Sequence, residues 1–257
     1  MPKRPRDRKH KARANHTPSG DRRSGKARFS REVTVLYEDQ AVIVLNKPPG
    51  LLAVPIKGAS VPSALSIVSD ALKNNREHAL VVHRIDRFAS GILLFAKTRQ
   101  DRQVLVDEFL AHTPLRQYLA VVRGRLQNQG GTLVHFFRKD GMFQQQRSAR
   151  DRDATRAELY YSVEREFADA SVVRVELVTG LQNQIRAQFA AIGHPLIGDR
   201  KYSRAEAEEK LIDRVALHAA RLEFEHPRTG RLITVDCPPP QDFERLLRAL
   251  PQAKRHG

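Results

Sequence analysis

Apolar residues recur along the chain with two periods, and the changes of period mark out its elements. Residues 33–37 and 41–45 are β-prone runs separated by Glu38-Asp39-Gln40, which predicts a hairpin. Between 63 and 75, Ala64, Leu65, Ile67, Val68, Ala71 and Leu72 fall on one helical face. Further apolar runs at 79–82 and 92–96 predict two strands. A second helix is expected over 99–112, burying Val104, Leu105, Phe109 and Leu110, and a strand over 115–124. Residues 128–153 are polar and irregular and suggest a hairpin and a mobile loop. A strand pair over 157–166 and 171–179 and a helix over 182–192 with Gly193 as its C-cap come next. Residues 204–214 read as a charged helix or loop. The chain closes with a hairpin, 215–224 and 233–237, turned at Pro227-Arg228-Thr229-Gly230, and a helix over 242–250. Strands and helices in this mixture predict an α+β domain.

The stretch 83–98, HRIDRFASGILLFAKT, interrupts this pattern in a chemically pointed way. His83, Arg84, Asp86, Arg87 and Ser90 stand between two apolar runs, which reads as strand, charged bend, strand, with Gly91 supplying the turn. A carboxylate fixed between two arginines is held ionised, and such a placement suits a nucleophile. From spacing alone, an aspartate among arginines is more often a surface ion pair.

Charge narrows the choice of partner. The 257 residues carry a net charge of +16, with a pI near 10.5, so a polyanion is expected, nucleic acid ahead of membrane. Residues 1–31 hold +10 of that charge and almost no apolar residue beyond Phe29. They are expected to form a disordered basic arm gripping RNA phosphates, with residues 32–257 as the folded domain. One cysteine, Cys237, excludes an intrachain disulfide and fits a reducing compartment. No apolar run suggests a secretory signal or membrane span, so a cytoplasmic protein is expected.

HRIDRFASGILLFAKT resembles the signature of the RluA family of pseudouridine synthases, HRLDxxTSGlllfAKt, departing at Phe88 and Ala89. VLYEDQAVIVLNKPPGLLAVP resembles the family's opening motif. LRQYLAVVRG resembles its K-x-Y-x-a-x-V-x-G element with Arg116 for lysine, and LHAARLEF its closing element. VTGLQNQIRAQFAAIGHPLIGDRKY resembles TGRTHQIRxHxxxxGHPIxGDxxY, with Leu181, Gln182 and Asn183 in place of Arg, Thr and His. The resemblance covers about residues 33 to 250.

The resemblance implies one catalytic domain on a large mixed, mostly antiparallel sheet with flanking helices. It places the catalytic role on Asp86, the ion-pair partner of that aspartate on Arg186, and the active-site tyrosine on Tyr118. Arg84 is expected to fill the gap left by a flipped base, and Lys47, His83, Arg87, Ser90 and Gln184 to lie against RNA. His218 resembles a ligand in isolation, but a packed, hydrogen-bonded histidine is expected. The implied reaction turns uridine into pseudouridine in ribosomal or transfer RNA after base flipping. It needs no redox cofactor, ATP or metal, and the enzyme is expected to act as a monomer. One rival reading is a non-catalytic RNA-binding or ribosome-assembly factor on the same fold. Another is a glycosidase, disfavoured because no second acid accompanies Asp86 in any motif.

Overall fold

A computed structural model describes residues 32–58, 61–73, 78–141, 143–203 and 211–253. The expected basic arm, and residues 204–210 of the expected charged helix or loop, lie outside the described residues.

The opening β-prone runs form an antiparallel hairpin, β1 (Thr34–Glu38) and β2 (Val42–Lys47). Asp39 shapes its turn by accepting from the backbone N–H groups of Ala41 and Val42 at 2.7 and 2.9 Å. Helix α1 (Ala64–Leu72) starts in a reciprocal capping box between Ser63 and Ser66 and buries Ala64, Val68 and Leu72. Strands β3 (Leu80–Val81) and β4 (Ser90–Ala96) follow, then helix α2 (Arg99–Leu110), capped by Thr98. Helix α2 buries Leu105, but Val104 and Leu110 are exposed, contrary to expectation. The 128–153 region supplies β6 (Gly130–Asp140) and β7 (Phe143–Arg147), an antiparallel hairpin that follows β5 (Leu115–Arg123). Next come β8 (Thr155–Glu166), β9 (Ala170–Leu177), α3 (Gln184–Ala191), β10 (Leu217–Glu225), β11 (Leu232–Asp236) and α4 (Gln241–Ala249).

The eleven described strands make one sheet in the order β1-β2-β4-β10-β5-β9-β8-β6-β7, with β11 on β10 and β3 on β4. Only β4 and β10 run parallel among these pairings, so the sheet is mixed and mostly antiparallel. The main core cluster spans the central strands, with Ile92, Leu94, Ala120, Val122, Val173 and Val175 buried together with Phe189 of α3. No described helix is long and apolar enough to cross a membrane.

Gly91 corrects one expectation. It lies inside β4 rather than in the turn, with φ 104°, and a Cβ there would stand 2.1 Å from the Ala219 carbonyl oxygen. Its missing side chain lets β10 close on β4, and Ala219 pairs with Gly91 on one side and Tyr118 on the other. The turn is made just upstream by residues 85–89, where the Ala89 N–H donates to the Asp86 carbonyl. Asp86 and Tyr118 are thus set by three adjacent central strands.

Candidate active site

Asp86 sits on this turn with buried Ile85 and Ala89 on either side anchoring the backbone. Its side chain keeps 19% exposure, and Oδ2 accepts from Arg186 Nη1 at 3.1 Å. Arg186 projects from the first turn of α3. A guanidinium offers five N–H groups, and four are committed here. Nε and Nη2 each donate to Asp199 at 2.7 Å, and Nη1 donates to Asp86 and, at 2.8 Å, to Asn183 Oδ1. Burial alone would weaken the charge on Arg186. The bidentate Asp199 pair, with Asp86, outweighs that and holds the guanidinium more firmly protonated than usual.

Asp199 is fully buried and saturated, because it also accepts from the backbone N–H groups of Lys201 and Tyr202 at 2.9 and 3.2 Å. A second acid therefore does stand near Asp86, but it is closed to any substrate. The Tyr202 ring lies 5.4 Å from the Arg186 guanidinium, and its hydroxyl accepts from the Gln144 N–H at 2.8 Å, tying the β6–β7 hairpin to the site. Asn183 occupies the left-handed region at φ 56°, a conformation that asparagine tolerates better than most residues. Where Leu181-Gln182-Asn183 departs from the usual Arg-Thr-His, Asn183 supplies a hydrogen bond to Arg186 and Leu181 packs against the cluster of Phe137, Ala157 and Ala187.

Tyr118 is buried on β5. Burial and the Asp86 charge push its phenol up to about 12, against the pull of Arg116, so it stays protonated at neutral pH. Arg116 donates through Nη2 to the carbonyls of Leu177 and Val178 at 3.2 and 2.9 Å. It thereby ties the strand of Tyr118 to the segment leading into α3. Among the described residues, no group of three His, Cys, Asp or Glu side chains is placed to hold a metal ion.

Residues 41–191 match the model of the RNA pseudouridylate synthase family. The chain is 34% identical to an RNA pseudouridine synthase of Bacillus subtilis, YlyB, over 85% of this chain and 73% of that one. It is 32% identical to ribosomal large subunit pseudouridine synthase C of Pasteurella multocida, over 87% and 69% of the two chains. The chain belongs to the RNA pseudouridylate synthase family. Within it, the chain is of the RluA type, an isomerase that acts on RNA. Its fold is shared with human RNA pseudouridylate synthase domain containing 4, at TM-score 0.70 and 20% identity, covering 84% of this chain and 92% of that one.

Asp86 and Arg186 are in contact, and Tyr118 lies close enough for the Asp86 charge to act on its phenol. Four other residues expected to lie against RNA have their polar groups engaged within the protein. Lys47 is fully buried and donates to the carbonyls of Pro48, Leu51, Arg87 and Ala89 at 2.8–3.1 Å. It binds the 47–51 turn to the Asp86 turn, and burial lowers its pKa to about 7. His83 stacks on Phe109 at 4.8 Å and accepts from the Leu94 N–H, and burial pushes its pKa down to about 3. Ser90 is buried against His218 Nδ1 at 2.9 Å. Burial pushes His218 down to about 4, so it is neutral, and the expected packed, hydrogen-bonded histidine is found. With Nε2 donating to the Cys237 carbonyl, Nδ1 accepts from the serine hydroxyl. Gln184 accepts from Thr179 and Leu181 and donates to the Glu158 carbonyl and Gln188, which fixes the start of α3.

Arg84 and Arg87 remain at the surface. Arg84 makes no hydrogen bond or ion pair among the described residues. Arg87 donates through Nε to the Gly50 carbonyl at 3.0 Å. Asp199, Asn183 and Tyr202 were not singled out from sequence as site residues. The signal for Asp199 and Tyr202 was their place in the matched GDxxY element, whereas nothing local marked Asn183.

Proposed function

We propose that this enzyme converts uridine to pseudouridine in ribosomal RNA, with Asp86 as its catalytic carboxylate. The observation that carries this reading is the Asp86–Arg186 contact beside Tyr118, with Arg186 itself locked by Asp199. The ribosomal substrate is suggested by relatives named for the large ribosomal subunit. Transfer RNA is the alternative that site mapping would distinguish.

In the reaction, the bond between uracil nitrogen 1 and the ribose breaks and the base turns. A bond then forms from carbon 5 to the same ribose carbon, the carbon 5 proton is lost, and nitrogen 1, freed from the ribose, takes up a proton. Atoms and charge balance without an oxidant or an external group. Uridine stacked in RNA is out of reach of a carboxylate held on a turn against the sheet, so the base must be flipped. Asp86 acts on the flipped nucleoside, at ribose or base. Arg186 holds the carboxylate in place through Nη1. Tyr118 stacks on the uracil. Because its phenol is held protonated, it can relay the carbon 5 proton only by releasing its own to an acceptor in the same step. Arg84, exposed on the same turn, fills the gap in the RNA stack. Residues 32–257 form the catalytic domain, active as a monomer in the cytoplasm, and residues 1–31 hold phosphates.

Pseudouridine mapping across total RNA from cells with and without the protein tests the reading. A uridine modified only when the protein is present supports it, and its position identifies the RNA. No difference at any uridine would sink it.

A further inference from the structure

Phe88 stands two residues after Asp86, between exposed Arg87 and buried Ala89, and leaves 42% of its surface exposed. A large apolar ring at the surface of a catalytic turn contributes little to the fold, because burial is what stabilises it. The ring is nevertheless held. The Arg87 guanidinium lies 5.3 Å from its centroid, and that guanidinium is itself fixed on the Gly50 carbonyl. The backbone beneath is fixed too, since the Arg87 carbonyl accepts from Gly50 N–H at 2.8 Å and from Lys47 Nζ at 3.1 Å. Arg84 adds a second exposed cation on the same turn.

We propose that Phe88, backed by Arg87, is a stacking platform for an unpaired RNA base flanking the target uridine. The inference rests on the reading of Asp86 as the place where that uridine is presented. A flat ring with cations beside it suits single-stranded nucleic acid, in which bases stack on aromatics and phosphates meet positive charge. A protein partner would also cover an exposed ring, but the arginine on the ring and the exposed Arg84 two residues before Asp86 favour a polyanion. Because the ring is pre-positioned by Arg87, little ordering entropy is lost when a base settles on it.

The test uses the absence of tryptophan from the chain. Phe88→Trp introduces a sole indole, whose emission is quenched when a base stacks on it, and Leu110→Trp on the exposed face of α2 serves as the control. The probes are total RNA from cells lacking the protein and single-stranded poly(A). Emission of Phe88→Trp is expected to fall strongly at saturating RNA while that of Leu110→Trp does not. On total RNA, Phe88→Ala and Phe88→Leu should lose roughly 5- to 100-fold in kcat/KM. Phe88→Trp should stay within about three-fold of the parent, because stacking is retained. An unquenched indole at saturating RNA, or Phe88→Leu working as well as the parent, overturns the platform. A parent inactive on total RNA would sink the catalytic reading of Asp86, and the quenching result would still decide the platform.

Discussion

Arg186 stands between two carboxylates of unequal access. It reaches the partly exposed Asp86 through Nη1 at 3.1 Å and grips the fully buried Asp199 through Nε and Nη2 at 2.7 Å each. The fork on Asp199 fixes the plane of the guanidinium, and the plane fixes where Nη1 can meet Asp86.

Removing Arg186 therefore does two things at once. Arg186→Met should abolish turnover, but it also strands a buried carboxylate, and a loss of about 3–5 kcal/mol in stability is expected. Arg186→Lys keeps the charge and loses the fork. It should fold, bind RNA within about three-fold of the parent, and turn over at least ten-fold more slowly. Urea denaturation with single-turnover assays checks both effects. Parental turnover in Arg186→Lys would show that the fork geometry does not matter.

Lys47 acts from beneath the site. Its ammonium satisfies four carbonyls of the 47–51 and 86–90 turns. Lys47→Met removes the side-chain donor from all four carbonyls, of which only that of Arg87 keeps a backbone partner among the described residues, the Gly50 N–H, and should destabilise the fold by about 3 kcal/mol. The Asp86 turn should loosen with it, lowering kcat more than RNA affinity. If denaturation midpoints are unchanged, the carbonyl cage contributes nothing and Lys47 has another role.

Much of this arrangement was legible in the sequence, and the failures share a physical cause. The periodicities located strands and helices because one-sided burial imposes them, as in α1 and the β1–β2 hairpin. The motif positions of Asp86 and Arg186 mark two residues that meet in the fold. What sequence did not show is which way a polar side chain points. Lys47, His83, Ser90 and Gln184 are polar residues in site motifs, yet each spends its polarity on backbone or core partners. Gly91 read as a turn residue because glycine usually is one; its actual reason, the approach of Ala219, comes from a strand 128 residues further on. Asp199 carries a motif position but no role in the sequence, because a saturated carboxylate and a reactive one look alike as letters.

Acid should destabilise the protein through His83 and His218. As pH falls, the unfolded chain protonates them near 6.5, whereas the folded chain resists until about 4 at His218 and about 3 at His83. Stability is therefore whole above pH 6.5 and drains away below it, by about 1.4 kcal/mol per pH unit for each imidazole. His218→Asn should flatten its share of that slope. Urea midpoints at about pH 7 and about pH 4.5 measure this, and an identical slope in variant and parent would remove His218 from the account.

Residues 1–31 carry +10 of the +16 net charge. If they hold phosphates, a chain of residues 32–257 should bind RNA more weakly and with less salt dependence. Each lost phosphate contact should take roughly 0.7–0.9 from the slope of log affinity against log salt. The modified uridine should not change, because the folded domain positions it. An unchanged slope would make the arm a solubilising tail.

The central claim is that the Asp86 carboxylate does the chemistry while the rest of the site aims it. Asp86→Asn keeps the shape of the side chain and removes its charge, and Arg186 remains neutralised by Asp199. The most direct measurement is pseudouridine formation by this variant on the RNA the parent modifies, alongside its RNA affinity and its denaturation midpoint. The account predicts no detectable product, with affinity and stability close to the parent's. Turnover near the parental rate would contradict it and take Asp86 out of the catalytic role.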